Sequence, residues 1–299
     1  MSEWLTPLIV DSSGRSGTTM MMGLLASSRE IAMDRQHPYE HVYFTWMAEW
    51  SAIADRTTWD YDRWDIFKLA MVQGEERTDS LVGPPPFLPR QLWQGEGEGD
   101  EIGPLLLTGA WREFSARAVH RTRRDLAAPD TAVRYHAEKA LSVARLRDIS
   151  PFEVRGIVLH RDPRDIWLSV QAFDLARGFF GFGRTPEESE GEWFERFLAL
   201  HARRLRACLA ERDRADSLLV AYEEMVLRPD ETADRLGRWL GVALDPSAPD
   251  RDLERNRHHS TSSTPEESVA RWKRELEPWC RERFLQEMGT ELVELGYDA

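Results

Sequence analysis

The sequence has little cysteine, no long apolar run and no excess of positive charge. Its two cysteines, Cys208 and Cys280, have no His or Cys neighbours at metal-ligand spacing, so neither a zinc site nor a disulfide scaffold is expected. No stretch reaches the ~18 consecutive apolar residues that a membrane span needs. The chain carries 39 Lys and Arg against 52 Asp and Glu, a net charge of −13. This charge disfavours nucleic acid or another polyanion as a partner.

Length and composition predict a folded protein. The chain has 299 residues, of which 41% are hydrophobic and 10% aromatic, which is enough for a buried core. The segment from Met1 to Pro7 contains Glu3 and no Lys or Arg, so it lacks the positive start of a secretory signal. We therefore expect a cytoplasmic protein, and we predict a single domain over residues 1–299.

Short apolar runs alternate with helical patterns along the chain. Helical patterns include Thr18 to Leu25, Trp193 to Leu209 and Asp230 to Leu240. The apolar runs are Leu8–Val10, Ile31–Met33, Val133–His136, Ile157–Leu159 and Leu218–Ala221. Such alternation predicts an α/β fold with three α/β/α layers around a central parallel sheet of about five strands.

Two segments interrupt this alternation. Residues 74–104 collect glycines and prolines among acidic residues, which predicts a long irregular insertion or a mobile lid. Residues 255–265 form a second polar stretch near the C-terminus, and we interpret it as a loop.

The strongest chemical signal lies between the first strand and the first helix. Glycines in this loop allow a tight turn that aims backbone N–H groups inward, and the helix adds the positive end of its dipole, so the loop is suited to bind phosphate. Hydroxyl groups and one guanidinium add further donors. The residues concerned are Gly14, Arg15, Ser16, Gly17, Thr18 and Thr19.

The loop differs from that of nucleoside triphosphatases at one position. Their loop ends in Gly-Lys-Ser/Thr, where the Lys contacts the terminal phosphates. Here Thr18 follows Gly17, so the group that serves a γ-phosphate and its metal is missing, and we expect no metal. The alternative interpretation is a small-residue turn with a Ser or Thr helix cap.

A second constellation follows the fourth strand. Arg161 stands at the end of the strand and Ser169 about two turns into the next helix, where ligands of parallel α/β sheets bind. These two residues are candidates for a second phosphate. Alternatively, Arg161 and Asp165 form only a local ion pair around a helix that starts at Pro163.

The two motifs together resemble the sulfotransferases that use 3′-phosphoadenosine 5′-phosphosulfate (PAPS). In that family, a loop of the form (Lys/Arg)-Ser-Gly-Thr-Thr binds the 5′-phosphosulfate. A motif of the form Arg-Asp-Pro-Arg-Asp-x-x-x-Ser binds the 3′-phosphate. Both occur in this sequence, in that order, at residues 15–19 and 161–169.

The resemblance implies roles for several further residues. Tyr222 matches a Tyr that lies against the nucleotide, and Lys139, following Glu138 after the third strand, matches a Lys that approaches the sulfonyl group. The C-terminal part, about 255–299, resembles the loop and helix that close over the nucleotide. Its matching residues are Ser262, Arg271 and Trp272.

This resemblance implies a P-loop-type three-layer α/β/α fold. It also implies sulfonate transfer from PAPS to a hydroxyl or amine of a small molecule, with 3′-phosphoadenosine 5′-phosphate (PAP) as the product. Arg15 is expected to neutralise the leaving phosphate and Lys139 to steady the transferring group. An acceptor hydroxyl also needs a general base. The candidates are Glu40, which we favour, His37 and His136. The position at which some branches of the family have a His is Leu141 here.

The acceptor side carries a weaker signal. Six tryptophans lie between the second and third strands, at positions 46, 50, 59, 64, 93 and 111. Core packing of an amphipathic helix explains the pair at 46 and 50. If some of the six line a cleft instead, the acceptor is aromatic or amphiphilic. Two other functions remain open, a P-loop kinase and a protein that holds the nucleotide without turnover. The oligomeric state is not predicted.

Overall fold

The computed structural model describes residues 4–37, 39–54, 102–140, 142–182, 184–249 and 261–298. Its five strands form one sheet in the order β2-β3-β1-β4-β5. The pairs β2–β3 and β4–β5 are parallel, with Ile31 opposite Tyr135 and Ile157 opposite Leu218. The strands are β1 (Thr6–Ser12), β2 (Ile31–Ala32), β3 (Tyr135–Ala140), β4 (Arg155–His160) and β5 (Ser217–Ala221). The predicted α/β fold with a five-stranded parallel sheet flanked by helices is confirmed.

Helices fill the described connections between the strands. Those of the first part of the chain are α1 (Thr18–Leu25), α2 (Tyr43–Ala54), α3 (Ile102–Asp125) and α4 (Val143–Ile149). After β4 come α5 (Pro163–Arg177) and α6 (Glu190–Ala210), and after β5 come α7 (Tyr222–Leu227) and α8 (Pro229–Leu240). A short 3₁₀ turn (Glu266–Ser268) precedes α9 (Trp272–Glu275) and α10 (Pro278–Glu294).

The chain divides into two compact units. The first comprises residues 1–9 and 29–155, and the second comprises residues 10–28 and 156–299. In the first unit, Phe44 of α2 packs edge-on against Trp111 of α3, with 4.8 Å between ring centroids. Both side chains are fully buried, so they form the centre of this unit's aromatic core.

The core of the second unit joins helices α5, α6 and α10. Trp167 packs against Phe194 and Phe197, with ring centroids 4.9 and 5.0 Å apart, and Phe284 completes the cluster. Helix α6 begins with a reciprocal capping box between Ser189 and Glu192, which satisfies two N–H groups at its start. This core supports α5, the helix that carries Ser169.

Two boundaries differ from the sequence expectation. We predicted the third strand at Val133–His136 with Glu138 and Lys139 behind it, but both residues lie inside β3. The strand accommodates the buried charge of Glu138 because backbone N–H groups of α2 bind its carboxylate. The irregular insertion was predicted to extend to Pro104, but residues 102–104 already belong to α3. Proline is tolerated there because N–H groups of a first helical turn have no intrahelical partner.

Other expectations fall outside the described residues. These are the insertion over 74–101, the tryptophans at 59, 64 and 93, Leu141, and residues 255–260 of the polar loop. Within the described part of the chain, both cysteines are free and buried. No described helix combines the length and hydropathy of a membrane span. The described side chains include no cluster of three or more His, Cys, Asp or Glu arranged to hold a metal.

Candidate nucleotide-binding site

The loop between β1 and α1 is a strained turn of the second unit. Arg15 has φ +66° and Gly17 has φ +86°, both in the left-handed region. Ser13 and Ser16 share a hydrogen bond between their hydroxyls at 2.8 Å. Gly17 is the residue before α1, and no described side chain caps the helix. The alternative interpretation, a turn in which a Ser or Thr side chain caps the helix, does not describe this loop. The first N–H groups of α1 therefore stay available to an anion.

Tyr222 closes one side of this loop. A Cβ atom at Gly17 would lie 2.5 Å from Cδ2 and 2.9 Å from Cε2 of the Tyr222 ring, so only glycine fits there. The Tyr222 hydroxyl lies 2.9 Å from the Ser268 hydroxyl. The tyrosine at the start of α7 thus connects the loop to the C-terminal part of the chain.

Arg161 lies beneath the loop rather than in a local ion pair. Its Nη1 donates to the Arg15 carbonyl at 2.9 Å, and its Nη2 donates to the Ser268 carbonyl at 2.7 Å. The guanidinium also stacks on Tyr222, 4.3 Å from the ring centroid. Asp165 instead accepts from the Trp272 backbone N–H at 2.8 Å. Arg161 is buried, and its Nε makes no hydrogen bond to any described group.

The two sequence motifs meet through the side chain of Arg15. Its Nε donates to Ser169 Oγ at 3.0 Å, and its Nη2 lies 3.4 Å from Thr261 Oγ1. Ser169 and Thr261 are themselves 3.0 Å apart between hydroxyl oxygens. Burial, with the nearby positive charges of Arg161 and Arg177, lowers the pKa of Arg15 to about 10. The structure therefore places a half-buried cation beside two hydroxyls, a donor set suited to a phosphate.

The start of α5 is fixed by a buried ion pair. Asp162 accepts from the Arg164 backbone N–H and pairs with the Arg164 guanidinium at 2.8 Å. That guanidinium stacks on Trp272, 3.6 Å from the ring centroid. Pro163 occupies the first turn of the helix, where its missing N–H costs nothing. Trp272 is buried in the core cluster of the second unit, so its ring links the start of α5 to that core.

The other two C-terminal candidates occupy different surroundings. Arg271 donates to the Thr261 carbonyl at 3.3 Å and pairs with Glu275 at 2.6 Å. Ser262 is half-buried and donates to the Thr264 carbonyl at 2.9 Å. Arg271 thus supports the residue that faces Ser169, whereas the Ser262 hydroxyl bonds within its own turn.

In the first unit, Lys139 and Glu40 form an ion pair. Lys139 Nζ donates to Glu40 Oε1 at 2.6 Å, and the side chains are 13% and 67% exposed. Burial lowers the pKa of Lys139, and the bond to Glu40 works against that shift. The sequence placed these residues 99 positions apart as separate candidates, and the fold joins them.

Glu138 anchors the start of α2 next to this pair. Its carboxylate accepts from the Phe44 N–H at 2.8 Å, from the Thr45 N–H at 2.7 Å and from the Thr45 hydroxyl at 2.6 Å. Glu138 is fully buried. A carboxylate at a helix N-terminus is favoured by the helix dipole, so Glu138 acts as the cap of α2.

The histidine candidates differ in accessibility. His136 is buried among aromatic rings, with centroids 4.8 Å from Phe114 and 5.6 Å from Trp111. Its Nε2 lies 3.4 Å from Glu138 Oε2, and neither ring nitrogen makes a hydrogen bond to a described group. His37 is half-buried and packs edge-on against Tyr39 at 5.8 Å.

The described tryptophans of this region divide between core and surface. Trp111 is fully buried and donates its indole N–H to the Leu5 carbonyl at 2.9 Å. Trp50 is 42% exposed, and Trp46 is half-buried. Core packing therefore explains Trp111 but not Trp50, which presents aromatic surface at the end of α2.

Comparison with known families gives one match. Residues 108–246 match the profile described as "Sulfotransferase family". The resemblance to sulfotransferases is confirmed. The matched range includes Lys139, Arg161, Ser169 and Tyr222. The loop at residues 12–19 lies outside that range. Its geometry is therefore evidence for an anion site that does not depend on the family match.

Solved structures resemble the chain over nearly its whole length. The sulfotransferase domain of the Synechococcus PCC 7002 olefin synthase is 15% identical, with 98% of this chain and 95% of that chain covered and a TM-score of 0.48. A sulfotransferase from Alicyclobacillus acidocaldarius is 16% identical, with 98% and 97% covered and a TM-score of 0.47. At these sequence identities and TM-scores, the structural similarity is not evidence for the fold or the function of this chain. No curated protein matches the sequence.

Two residues at this candidate site were missed from the sequence. Thr261 lies beside Ser169, and Ser268 bonds both Arg161 and Tyr222. The polar composition of the C-terminal loop indicated the segment but not which of its hydroxyls face the site. The neighbouring Ser262, which the resemblance suggested, donates to the Thr264 carbonyl.

Proposed function

We propose that this protein is a PAPS-dependent sulfotransferase that moves a sulfonate group to a hydroxyl or amine of a small-molecule acceptor. The proposal rests on one observation, which is the direct contact between the two motifs in the second unit. Arg161 of the second motif binds the backbone of Arg15, and Arg15 of the first motif binds Ser169. A ligand with two separate phosphates suits such a pair of joined anion sites, and a nucleoside 3′,5′-bisphosphate has that chemistry.

The loop and the second motif bind the nucleotide in this proposal. Backbone N–H groups at the start of α1 receive the 5′-phosphosulfate. Arg161 and Ser169 receive the 3′-phosphate, and Tyr222 lies against the nucleotide. The loop residues are Gly14, Arg15, Ser16, Gly17, Thr18 and Thr19. Arg271 contributes by supporting Thr261, whereas roles for Ser262 and Trp272 at the ligand stay predictions from sequence.

Sulfonate transfer breaks the bond between sulfur and the bridging phosphate oxygen and forms a bond from sulfur to the acceptor oxygen. Negative charge grows on the leaving oxygen, and the acceptor proton must go to a base. We assign Lys139 to the transferring group and Glu40 to the acceptor proton. Glu40 is the strongest of the three base candidates because its carboxylate is exposed and bound to Lys139, whereas His136 is enclosed by aromatic rings. Arg15 at the leaving phosphate and His37 as base stay predictions.

The acceptor class follows from weaker observations. Trp50 presents an exposed aromatic surface on α2, which supports an aromatic or amphiphilic acceptor. A single domain over residues 1–299, a cytoplasmic location and independence from metal also belong to the proposal.

Calorimetry tests the nucleotide class directly. PAP is titrated into the protein without metal, and ATP is titrated with and without Mg²⁺. We expect PAP to bind at least about tenfold more tightly than ATP, because the loop lacks a Lys for the terminal phosphates. Equal or tighter binding of ATP in the presence of Mg²⁺ would instead identify a P-loop kinase.

A labelling experiment tests turnover. The protein is incubated with donor carrying radiolabelled sulfonate and a fractionated metabolite extract, and labelled fractions are collected. We expect label in one chemical class of hydroxyl or amine. PAP binding with no labelled product in any fraction would favour a protein that holds the nucleotide without turnover.

A further inference from the structure

The residues that follow α10 turn back towards the sheet. The helix ends in a Schellman motif, in which the Tyr297 N–H donates to the Leu292 carbonyl at 2.9 Å. In the same motif, the Gly296 N–H donates to the Val293 carbonyl at 3.0 Å. Gly296 has φ +85°, the left-handed conformation that this motif requires. Because of this turn, the Tyr297 ring packs against the core cluster of the second unit.

The Tyr297 hydroxyl bridges two residues that adjoin the proposed nucleotide site. It lies 2.7 Å from His160 Nδ1 and 3.3 Å from Glu223 Oε2. His160 is the last residue of β4 and directly precedes Arg161. Glu223 directly follows Tyr222 in α7. One hydroxyl therefore connects the two elements that carry residues assigned to the nucleotide.

Glu223 extends this connection to the start of α5. Its carboxylate accepts from the Asp162 N–H at 3.0 Å. Burial and nearby arginines lower the pKa of His160 to about 4, so its ring is neutral at pH 7. With the ring proton on Nδ1, His160 donates to the Tyr297 oxygen and Tyr297 donates to Glu223. The chain of hydrogen bonds thus contacts the residue before Arg161 and the residue after it.

A second contact of the same segment reaches the start of α5. Arg164 Nη2 donates to the Asp298 carbonyl at 2.6 Å, and Lys273 pairs with the Asp298 carboxylate. Residues 297 and 298, here called the C-terminal tail, therefore contact the β4–α5 turn at several points. Arg161 lies between these points along the chain.

The position of the Arg161 guanidinium depends on the turn that carries it. Its Nη atoms donate to the Arg15 and Ser268 carbonyls at 2.9 and 2.7 Å. Hydrogen bonds of this length tolerate only a small displacement before they weaken. A turn whose flanking residues are fixed by the tail keeps Arg161 within that tolerance.

We propose that Tyr297 is a positioning residue for the nucleotide, which acts through His160 and Glu223 to fix the β4–α5 turn and with it Arg161. The inference rests on the proposed function, in which Arg161 receives the 3′-phosphate. Tyr297 acts through these neighbours and is not assigned to the ligand itself.

Two ligands that differ in the 3′-phosphate test this role. PAP and adenosine 5′-phosphate are titrated by calorimetry into the wild-type protein and into Tyr297→Phe, which keeps the ring and removes the hydroxyl. We expect about fivefold to tenfold loss of PAP affinity, because two hydrogen bonds that hold the turn are lost. Adenosine 5′-phosphate should lose less than about twofold, since it has no 3′-phosphate for Arg161 to bind.

A double-mutant cycle tests whether Tyr297 acts through Arg161. Arg161→Gln alone should lower PAP affinity by about 30-fold or more, because a charged donor to the 3′-phosphate is lost. Adding Tyr297→Phe to that variant should lower the affinity by less than about twofold further. Losses that simply multiply would show that the two residues act independently, and would overturn the inference.

Two variants of His160 test the same hydroxyl from its partner. Asn places an amide N–H near the position of the imidazole Nδ1, so His160→Asn should keep PAP affinity within about threefold of the wild type. His160→Leu has no donor and should lose about as much as Tyr297→Phe. Equal losses in the two His160 variants would count against the hydrogen-bonded chain and overturn the inference.

Tyr135→Phe is the matched control. Its hydroxyl also accepts from a charged side chain, Arg155 Nη1 at 3.4 Å, and it lies on β3 in the first unit. The control should leave both affinities within about twofold of the wild type. Thermal unfolding of each variant reports whether it is folded under the titration conditions.

The ratio of the two affinities separates positioning from packing. If Tyr297 only packs, Tyr297→Phe changes the melting temperature at most and leaves that ratio as in the wild type, which would overturn the inference. A wild-type protein that binds neither ligand, or binds both equally, would instead refute the proposed function. The two failures are therefore distinguishable.

Discussion

The ring of Tyr222 lies directly against the backbone of Gly17, at a distance that leaves no room for a side chain. A Cβ at this position would lie 2.5 Å from the ring, and the residue has φ +86°. We therefore expect Gly17→Ala to destabilise the protein by about 2–4 kcal/mol, from left-handed strain and overpacking combined. Nucleotide affinity should fall as well, since the loop must shift. Chemical denaturation and PAP titration measure the two effects.

Gly109→Ala is the control for this substitution. Gly109 lies within α3, and an added Cβ meets no atom within 4 Å. Since alanine is the better helix former, the change should stabilise the protein by roughly 0.5–1 kcal/mol. If Gly17→Ala and Gly109→Ala change the free energy of unfolding by the same amount, the contact between Tyr222 and Gly17 does not determine the conformation of the loop.

A second prediction concerns Glu223, which lies in a half-buried chain of polar groups with Asp162, Tyr297 and His160. Its carboxylate accepts from the Asp162 N–H at 3.0 Å and from the Tyr297 hydroxyl at 3.3 Å. The Tyr297 hydroxyl is also 2.7 Å from His160 Nδ1. Burial raises the pKa of Glu223 to about 7, although the N–H groups of Asp162 and Glu223 and the charge of Arg161 oppose the shift.

Replacing Glu223 by Gln should change how stability depends on pH. A carboxyl with a raised native pKa binds its proton more tightly when folded, so its stabilising contribution is full below pH 4.5 and is lost as pH rises through 7. Gln cannot ionise, and its amide can still accept from the Asp162 N–H. Relative to the wild type, Glu223→Gln should therefore gain about 3 kcal/mol of stability between pH 4.5 and 8.

Denaturation at several pH values measures this difference. Burial and nearby arginines lower the pKa of His160 to about 4. This changes stability in the opposite sense, since stability decreases as pH falls from 6.5 towards 4 and the unfolded chain binds a proton at this histidine more readily than the folded protein. Both proteins contain His160, so subtracting their stabilities removes most of its effect. A stability difference that stays constant from pH 4.5 to 8 would contradict a raised pKa at Glu223.

The sequence predicted the local elements around the phosphate loop well. An apolar run followed by glycines at fixed spacing predicts a strand, a turn and a helix. The helical pattern at Thr18 to Leu25, which we interpreted as the first turns of a helix, covers the whole of α1. The signal is local, because burial of consecutive residues and backbone freedom at Gly17 decide the conformation. β4 and β5 were likewise predicted from continuous apolar runs.

Long-range pairing explains what could not be predicted. β3 contains Glu138 and Lys139, two charges that strand propensity disfavours, and the strand tolerates them because α2 and Glu40 supply partners. In the same way, the contact of Arg15 with Ser169 joins residues 154 positions apart. Composition and periodicity contain no information about such pairs, so the motifs were found but their connection was not.

Glu138 gives a third prediction, about the stability of the first unit. Its buried carboxylate accepts two N–H groups and one hydroxyl at the start of α2. Glu138→Ala should cost about 3–4 kcal/mol, because those donors are left without an acceptor in a buried place. Glu138→Gln, which keeps one carbonyl acceptor, should cost about half as much. Thermal and chemical denaturation measure the losses.

Glu49 provides the comparison for Glu138. It is a carboxylate on the same helix, and it pairs with Arg145 through two bonds of 2.6 and 2.7 Å. Arg145 is partly exposed, so water replaces the lost partner in Glu49→Ala and the cost should be about 1–2 kcal/mol. If Glu49→Ala proves as costly as Glu138→Ala, the cap of α2 is not the reason for the effect.

The last prediction separates the roles of Lys139 and Glu40 in transfer, using an acceptor identified by labelling. If Lys139 steadies the transferring group, Lys139→Met should lower kcat by about 100-fold at every pH, because a preorganised positive donor is lost. If Glu40 is the base, Glu40→Gln should lower kcat by about 10²–10⁴-fold, and part of that loss should be recovered as pH rises and the acceptor ionises unaided.

PAP affinity should change less than about threefold in either variant, since both residues are assigned to transfer rather than to nucleotide binding. Initial rates of PAP release from pH 6 to 9 measure these effects. His37→Gln is the comparison, and a larger loss in that variant than in Glu40→Gln would assign the base to the histidine.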